Sequence, residues 1–229
     1  MQYFPAQDRS YLQPLKAEFA DLLKYSTSGQ AMQKLVAEYQ FASVLDVGCG
    51  AGWHTRHLAN YAQQVTALDY RQHPQLDTDA LSQQGVTFQF LDIMEYAPEQ
   101  PFDALWCSHV LEHQLNPNLF LRKLHSLLAE GGVLAITVPP LKHEIVGGHV
   151  TLWNAGLLLY HLALAGFDCA EAAILRYAYN ISIIVKKRTI PHLPMLGYCN
   201  GDLEQLAPFL PDGAGKQGFN GDIAEHNWY

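Results

Sequence analysis

The sequence predicts a doubly wound α/β domain built on a mostly parallel β-sheet. Three observations carry that expectation. Between residues 43 and 138, short β-branched apolar runs alternate with helical patterns, as in strand-helix-strand units wound on both faces of one sheet. The first run empties into three glycines at alternate positions, Gly48, Gly50 and Gly52. The second and third runs close on acids, Asp69 and Asp92, at the carboxyl edge where such sheets bind ligands.

The chain has 229 residues and 49% hydrophobic composition, enough for one domain with a large core and no need of staples. It divides into an expected N-terminal helical cap (1–42), a sheet domain (43–188) and a Pro/Gly-rich arm (189–229). Cys49, Cys107, Cys169 and Cys199 form no Cys-x-x-Cys pair, so neither a disulfide framework nor a zinc knuckle is expected. Fourteen basic and 22 acidic side chains give a formal charge of −8, and the largest basic run is Lys186-Lys187-Arg188. That balance argues against a nucleic-acid partner. No apolar run is long and charge-free enough to span a bilayer, and Met1-Gln2-Tyr3-Phe4-Pro5 lacks the basic start of a signal peptide. A cytoplasmic location is therefore expected.

Residues 10–25 and 29–39 repeat apolar side chains at helical spacing, with Ser26-Thr27-Ser28-Gly29 as the break. Tyr3, Phe4, Tyr11 and Tyr25 could form a lid or simply pack on the sheet. The first strand, Ser43-Val44-Leu45-Asp46-Val47, leads into Gly48-Cys49-Gly50-Ala51-Gly52. Glycine accepts positive φ and lets a ligand lie against the backbone, and a helix starting near Trp53 aims its free N–H groups at the same space. The dinucleotide pattern Gly-x-Gly-x-x-Gly is not met, because Trp53 stands where its third glycine belongs.

After a helix over 53–61, residues 64–69 form a second strand ending in Asp69, placed to accept hydrogen bonds from ribose hydroxyls. A short helix over 78–84 stops at Gly85, and a third strand over 86–92 ends in Asp92, either a ligand residue or the cap of a turn at 94–96. A fourth strand over 101–107 exits through Ser108-His109-Val110-Leu111-Glu112-His113. Asn116-Pro117 opens a helix through Leu128, closed by Glu130-Gly131-Gly132, and residues 133–138 form the fifth strand. A polar loop over 139–150 carries His143 and His149, and an apolar helix over 153–165 follows. Residues 167–177 and 181–187 form a closing antiparallel pair, and a short helix over 202–209 lies in the arm.

Asp-x-Gly-x-Gly-x-Gly at Asp46–Gly52 resembles the first motif of the class I S-adenosylmethionine (SAM)-dependent methyltransferases. The run Phe102-Asp103, three apolar residues, the His-Val-Leu-Glu-His loop, a helix and Gly131-Gly132 is similar to the fourth and fifth strands of that family. The resemblance covers about residues 43–187 and implies a seven-stranded Rossmann-like methyltransferase fold. It further implies SAM as cofactor, with Asp46, Gly48, Cys49, Gly50, Gly52, Asp69, Tyr70, Asp92, Ile93, Ser108 and His109 around it. In that family the acid at Asp92 takes the adenine amino hydrogen, and a neighbour such as Ile93 packs on the ring.

Methyl transfer from a sulfonium demands geometry and water exclusion more than acid-base help, although a hydroxyl acceptor would benefit from a base. His109, His143 and His149 border the expected methyl position and are the candidates for that base. The expected acceptor is an O or N nucleophile of a small molecule or sugar-type glycan precursor; the sugar rests on a faint likeness of residues 147–154 to enzymes that methylate bacterial surface sugars. Two other readings stay open. His109-x-x-Glu112-His113 matches the zinc signature of inverted metallopeptidases, with two imidazoles one helical turn apart, and the chain could be a SAM-binding protein without turnover. Outside the peptidase reading no metal ligand is expected, and His54 and His57 are expected on the surface of the first helix of the sheet domain.

Overall fold

The computed structural model describes residues 28–229, so the helix expected over 10–25 and the aromatics Tyr3, Phe4, Tyr11 and Tyr25 lie outside the described residues. The elements follow as α1 (Gly29–Glu38), β1 (Ser43–Val47), α2 (Trp53–Leu58), β2 (Gln64–Asp69), α3 (Thr78–Ser82), β3 (Val86–Phe90) and β4 (Phe102–Ser108). Then come α4 (Pro117–Leu127), β5 (Leu128–Val138), α5 (Ala155–Leu164), β6 (Ala173–Tyr177), β7 (Asn180–Lys186), α6 (Asp202–Leu206) and β8 (Glu225–His226). The eight strands among the described residues join one sheet in the order β3-β2-β1-β4-β5-β7-β6-β8. The first five strands are parallel, and β7 runs antiparallel between β5 and β6.

Strand order reverses at β1. The chain steps outward through β2 and β3, then returns to β4 on the other side, which opens a crevice at the carboxyl ends of β1 and β4. Alternation along the strands feeds two cores. Leu45, Val47, Leu105 and Cys107 pack with Phe120, Leu124 and Leu158 on the α4/α5 face. Val44, Ala104 and Trp106 pack with Met32, Leu35 and Leu58 on the α1/α2 face.

Several boundaries move for local reasons. The helix expected to reach Leu128 stops at Leu127, and β5 begins at once, with Gly131 at φ 79° inside it. A Cβ on Gly132 would lie 2.8 Å from the Asp103 carbonyl oxygen, so β5 approaches β4 there too closely for a side chain, beside a register shift between Phe102 and Ala104. Residues 167–172 do not extend β6. Asp168 turns the chain by accepting from the Ala170 N–H at 3.0 Å, and Cys169 donates its N–H to Phe209 of the arm at 2.9 Å.

The sheet has one strand more than the seven expected, because the arm returns as β8, pairing Ile174 with His226 and Leu175 with Glu225. Leu206, Leu210 and Ala214 join the α4/α5 core, whereas Trp228 is buried in the α1/α2 core. The arm thus passes round the β8 edge from one face to the other, and the Lys34 Nζ donates to the Trp228 carbonyl at 2.7 Å. His54 is half-buried, neither fully on the surface nor in the core. Its ring meets Trp106 edge-on at 5.0 Å, and burial, with His57 and His109 nearby, pushes its pKa down to about 3.

Candidate active site

The glycine turn is held from below and open above. The N–H groups of Gly48 and Cys49 both donate to the Leu68 carbonyl, at 2.8 and 3.1 Å, drawing the turn onto the end of β2. Gly48, Gly50 and Gly52 all have positive φ, at 74°, 51° and 78°. A Cβ on Gly48 would fall 2.3 Å from Val110 Cγ2 and one on Gly52 2.6 Å from Leu76 Cδ1, while one on Gly50 would meet nothing within 4 Å. Gly50 donates its N–H to Asp69 Oδ2 at 2.8 Å, fixing that carboxylate beside the turn.

Asp46 is buried beneath the turn, where Thr55 Oγ1 donates to its Oδ2 at 2.6 Å and ties β1 to α2. Burial raises its pKa to about 7, with the Thr55 hydrogen bond pulling the other way and the charge of Asp69 adding to the rise. Cys49 is buried at the turn, and burial pushes its thiol well up.

A cavity of about 350 Å³ opens at the carboxyl edge and is lined by Gly48, Asp69, Tyr70, Asp92, Ile93 and His109, six of the residues expected around the cofactor. Its volume falls in the roughly 300–1,000 Å³ range of small-molecule sites. Val47, Leu68, Leu91, Val110 and Phe120 complete an apolar lining, and His113 and Gln114 add polar groups. Asp92 accepts from the Met94 N–H at 2.9 Å through Oδ1, so it caps the turn and lines the cavity at once. Asp46, Cys49, Gly50, Gly52 and Ser108 are not among the lining residues; Ser108 Oγ shares a 2.6 Å hydrogen bond with Ser28 Oγ. A larger hollow of about 780 Å³ lies at the opposite edge, among Tyr39, Asp103, Gly132 and Lys186. Parallel sheets bind ligands at the carboxyl ends of their strands, so the smaller cavity is the candidate site.

His109 occupies the left-handed region at φ 55°, uncommon for a residue with a side chain. Its Nδ1 lies 3.2 Å from Glu112 Oε1 and its Nε2 3.0 Å from Asn180 Oδ1. Burial acts to lower its pKa, but the hydrogen bonds to Glu112 and Asn180 and the Glu112 charge outweigh it and hold the imidazole above the usual range. Both ring nitrogens of His109 thus lie within hydrogen-bond distance of a partner.

The peptidase arrangement does not form. Leu111–His113 is a three-residue 3-10 turn rather than an α-helix, and both His109 nitrogens are engaged. Instead Glu112, His113 and His149 come together, one potential ligand atom from each lying within 4.8 Å of the others. The His113 and His149 rings meet edge-on at 5.0 Å.

His149 also lines a second cavity of about 160 Å³, with Pro139, Lys142, Trp153 and Tyr179. Tyr179 links the two spaces, because its ring stacks on His109 at 6.4 Å and lies 4.3 Å from Lys142 Nζ. His143 is exposed in the same loop and lines neither cavity. Sequence reasoning missed Asn180 and Tyr179, which reach the site from the β6–β7 hairpin; their wide separation from His109 along the chain left no local signal. Phe120 was legible only as an apolar position of α4.

Residues 7–169 match the model of a methyltransferase-domain family, most of the chain. Curated relatives include the ubiquinone biosynthesis O-methyltransferases of Xanthomonas campestris pv. campestris (strain B100), 38% identical over 103 residues, and of Xanthomonas oryzae pv. oryzae (strain PXO99A), 36% identical over 103 residues. Each match covers 42% of this chain and 42% of the relative, so it spans less than half the length of those proteins. Among solved structures, the 1,6-didemethyltoxoflavin-N1-methyltransferase of Burkholderia thailandensis, bound to 1,6-didemethyltoxoflavin and S-adenosylhomocysteine, superposes with a TM-score of 0.61 at 20% identity, covering 82% of this chain and 93% of that one. The N-methyltransferase NodS of Bradyrhizobium japonicum WM9 superposes with a TM-score of 0.57 at 18% identity, covering 75% and 98%. At these identities the structural likeness concerns the fold. With the family match and the glycine-turn cavity together, the chain belongs to the class I SAM-dependent methyltransferases.

Proposed function

We propose that this protein transfers a methyl group from SAM to an oxygen or nitrogen nucleophile of a small molecule or glycan precursor. The observation that carries the reading is the gathering of Gly48, Asp69 and Asp92 around one cavity at the sheet's switch point, with the His109–His113 turn at its mouth. SAM supplies a methyl group already activated by the positive sulfonium. The residues have the complementary tasks. Asp69, oriented by the Gly50 N–H, presents a carboxylate to the ribose hydroxyls. Asp92 and Ile93 offer an acceptor and an apolar face to the adenine. The left-handed turns at Gly48 and Gly50 allow close approach of the amino-acid end.

The cavity between Trp153 and Tyr179 is the acceptor pocket of this reading, because it adjoins the mouth through Tyr179. Of the three histidines considered as base, His149 lines that pocket. His109 lines the cofactor cavity instead, with its ring nitrogens bonded to Glu112 and Asn180. Among the described residues no helix is long and apolar enough to cross a membrane.

The test is a calorimetric titration with S-adenosylhomocysteine, with NAD in parallel, followed by a screen of phenol, amine and sugar acceptors for S-adenosylhomocysteine release. One-to-one binding of the nucleoside alone is expected. NAD binding in its place would withdraw the reading, and nucleoside binding with no turnover on any acceptor would identify a non-catalytic SAM-binding protein.

A further inference from the structure

We propose that Glu112, His113 and His149 bind one first-row divalent cation, of the zinc or manganese type, at the seam between the cofactor cavity and the second cavity. The three side chains place ligand atoms within 4.8 Å of one another. His113 Nδ1 lies 2.7 Å from the Gly148 carbonyl oxygen, which can only accept, so Nδ1 carries the proton and Nε2 presents its lone pair. That Nε2 faces Glu112 Oε1 at 3.9 Å, too far for a hydrogen bond. Two ligands on a tetrahedral ion with bonds of about 2.1 Å stand about 3.4 Å apart, so this gap is close to that of a shared ion.

Glu112 supplies the independent observation. Its side chain is 0% exposed, and among the described residues its Oε2 has no hydrogen-bond partner. A buried carboxylate oxygen left unpaired is costly, and a cation beside it removes that cost. The surroundings match those of metal ligands elsewhere. The Gly148 carbonyl fixes the tautomer of His113, and His109 bonds Glu112 from the other side, an outer shell that orients the ligands. The N–H groups of Val150 and Thr151 donate to the Glu112 carbonyl at 2.8 and 3.2 Å, which tethers the His149 loop to the same turn. Bringing ligand atoms that lie within 4.8 Å of one another to a spacing of about 3.4 Å requires movements of at most about 1.4 Å.

Two imidazoles and one carboxylate suit zinc or manganese, whereas magnesium and calcium prefer oxygen ligands alone. Three protein ligands leave a coordination position open. His113 lines the cofactor cavity and His149 the second one, so the open position lies where an acceptor hydroxyl would sit. That last assignment rests on the methyl-transfer reading; the binding of the ion does not.

The experiment titrates Zn²⁺ and Mn²⁺ into chelator-stripped, folded protein by calorimetry, with Co²⁺ absorption reporting the ligand geometry. One ion per chain is expected, with affinity falling by about tenfold or more in His149→Ala, His113→Ala and Glu112→Gln and unchanged in His192→Ala, which alters an exposed histidine elsewhere. Glu112 is buried and its substitution tests folding as well as binding, so His149 and His113, both partly exposed, decide the matter. Failure of the wild-type protein to bind any of the three ions, or binding that survives both His149→Ala and His113→Ala, overturns the proposal. S-adenosylhomocysteine titrated into the same stripped samples separates the two readings, because nucleoside binding without metal binding removes the metal site and leaves methyl transfer standing.

Discussion

Gly48→Ala tests whether the glycine turn is shaped by backbone conformation, by contact with Val110, or by both. At φ 74° an alanine costs about 1–2 kcal/mol for entering the left-handed region. Its Cβ would also stand 2.3 Å from Val110 Cγ2, and forcing a methyl into that contact adds about 1–3 kcal/mol. The combined loss in stability is therefore about 2–5 kcal/mol. Val110→Ala removes Cγ2 and leaves the new methyl 3.5 Å from the Val110 Cβ, an ordinary contact. In the double variant the steric part disappears and the backbone part stays, so a coupling of about 1–3 kcal/mol is expected. Urea unfolding of the four proteins gives the cycle, and calorimetry with S-adenosylhomocysteine reads its effect on the site. Losses that add to within about 0.5 kcal/mol would refute the steric argument. Gly50→Ala isolates the backbone effect, since nothing lies within 4 Å of its added methyl. If that open side faces the cofactor, nucleoside affinity falls by more than stability does.

Two further outcomes follow from the acids. Asp69→Ala removes the partner of the Gly50 N–H and the carboxylate offered to the ribose, so S-adenosylhomocysteine affinity should fall by about 1–3 kcal/mol in calorimetry; unchanged affinity would take Asp69 out of the site. Asp46 has its pKa raised from 3.8 to about 7 in the folded chain, so between those values the folded state keeps a proton that the unfolded state has lost. Its contribution is complete below pH 4 and is lost as pH rises to about 7, by no more than about 4 kcal/mol. Asp46→Asn keeps an oxygen for the Thr55 hydroxyl and should flatten the stability profile over pH 4–7; an identical slope in both proteins would contradict the assignment.

The alternation of strands and helices was legible because a strand buried on two faces must be a short apolar run, and a turn under a ligand must be glycine. β1, β2 and β3 and the pairing of β6 with β7 follow from those local demands. The boundaries that moved, at the start of β5 and over 167–172, depend on partners distant in sequence: the Asp103 carbonyl against Gly132, and the arm at Phe209 against Cys169.

The site divides in the same way. The amino-acid sequence by itself determined the sheet, the switch point and the acids that reach it, since each depends on residues within one strand-turn-helix unit. Whether a named residue lines the cavity or braces it was decided only by the tertiary structure. Asp46 and Asp69 both follow apolar runs, yet Asp46 turns under the sheet to Thr55 and Asp69 turns out to the glycine loop. His109 is one of three candidate bases in sequence, and both its ring nitrogens become hydrogen-bonded once the hairpin carries Asn180 to it. Glu112, His113 and His149 become neighbours because the loop after β5 folds back over the turn after β4, a contact between segments that no local pattern encodes.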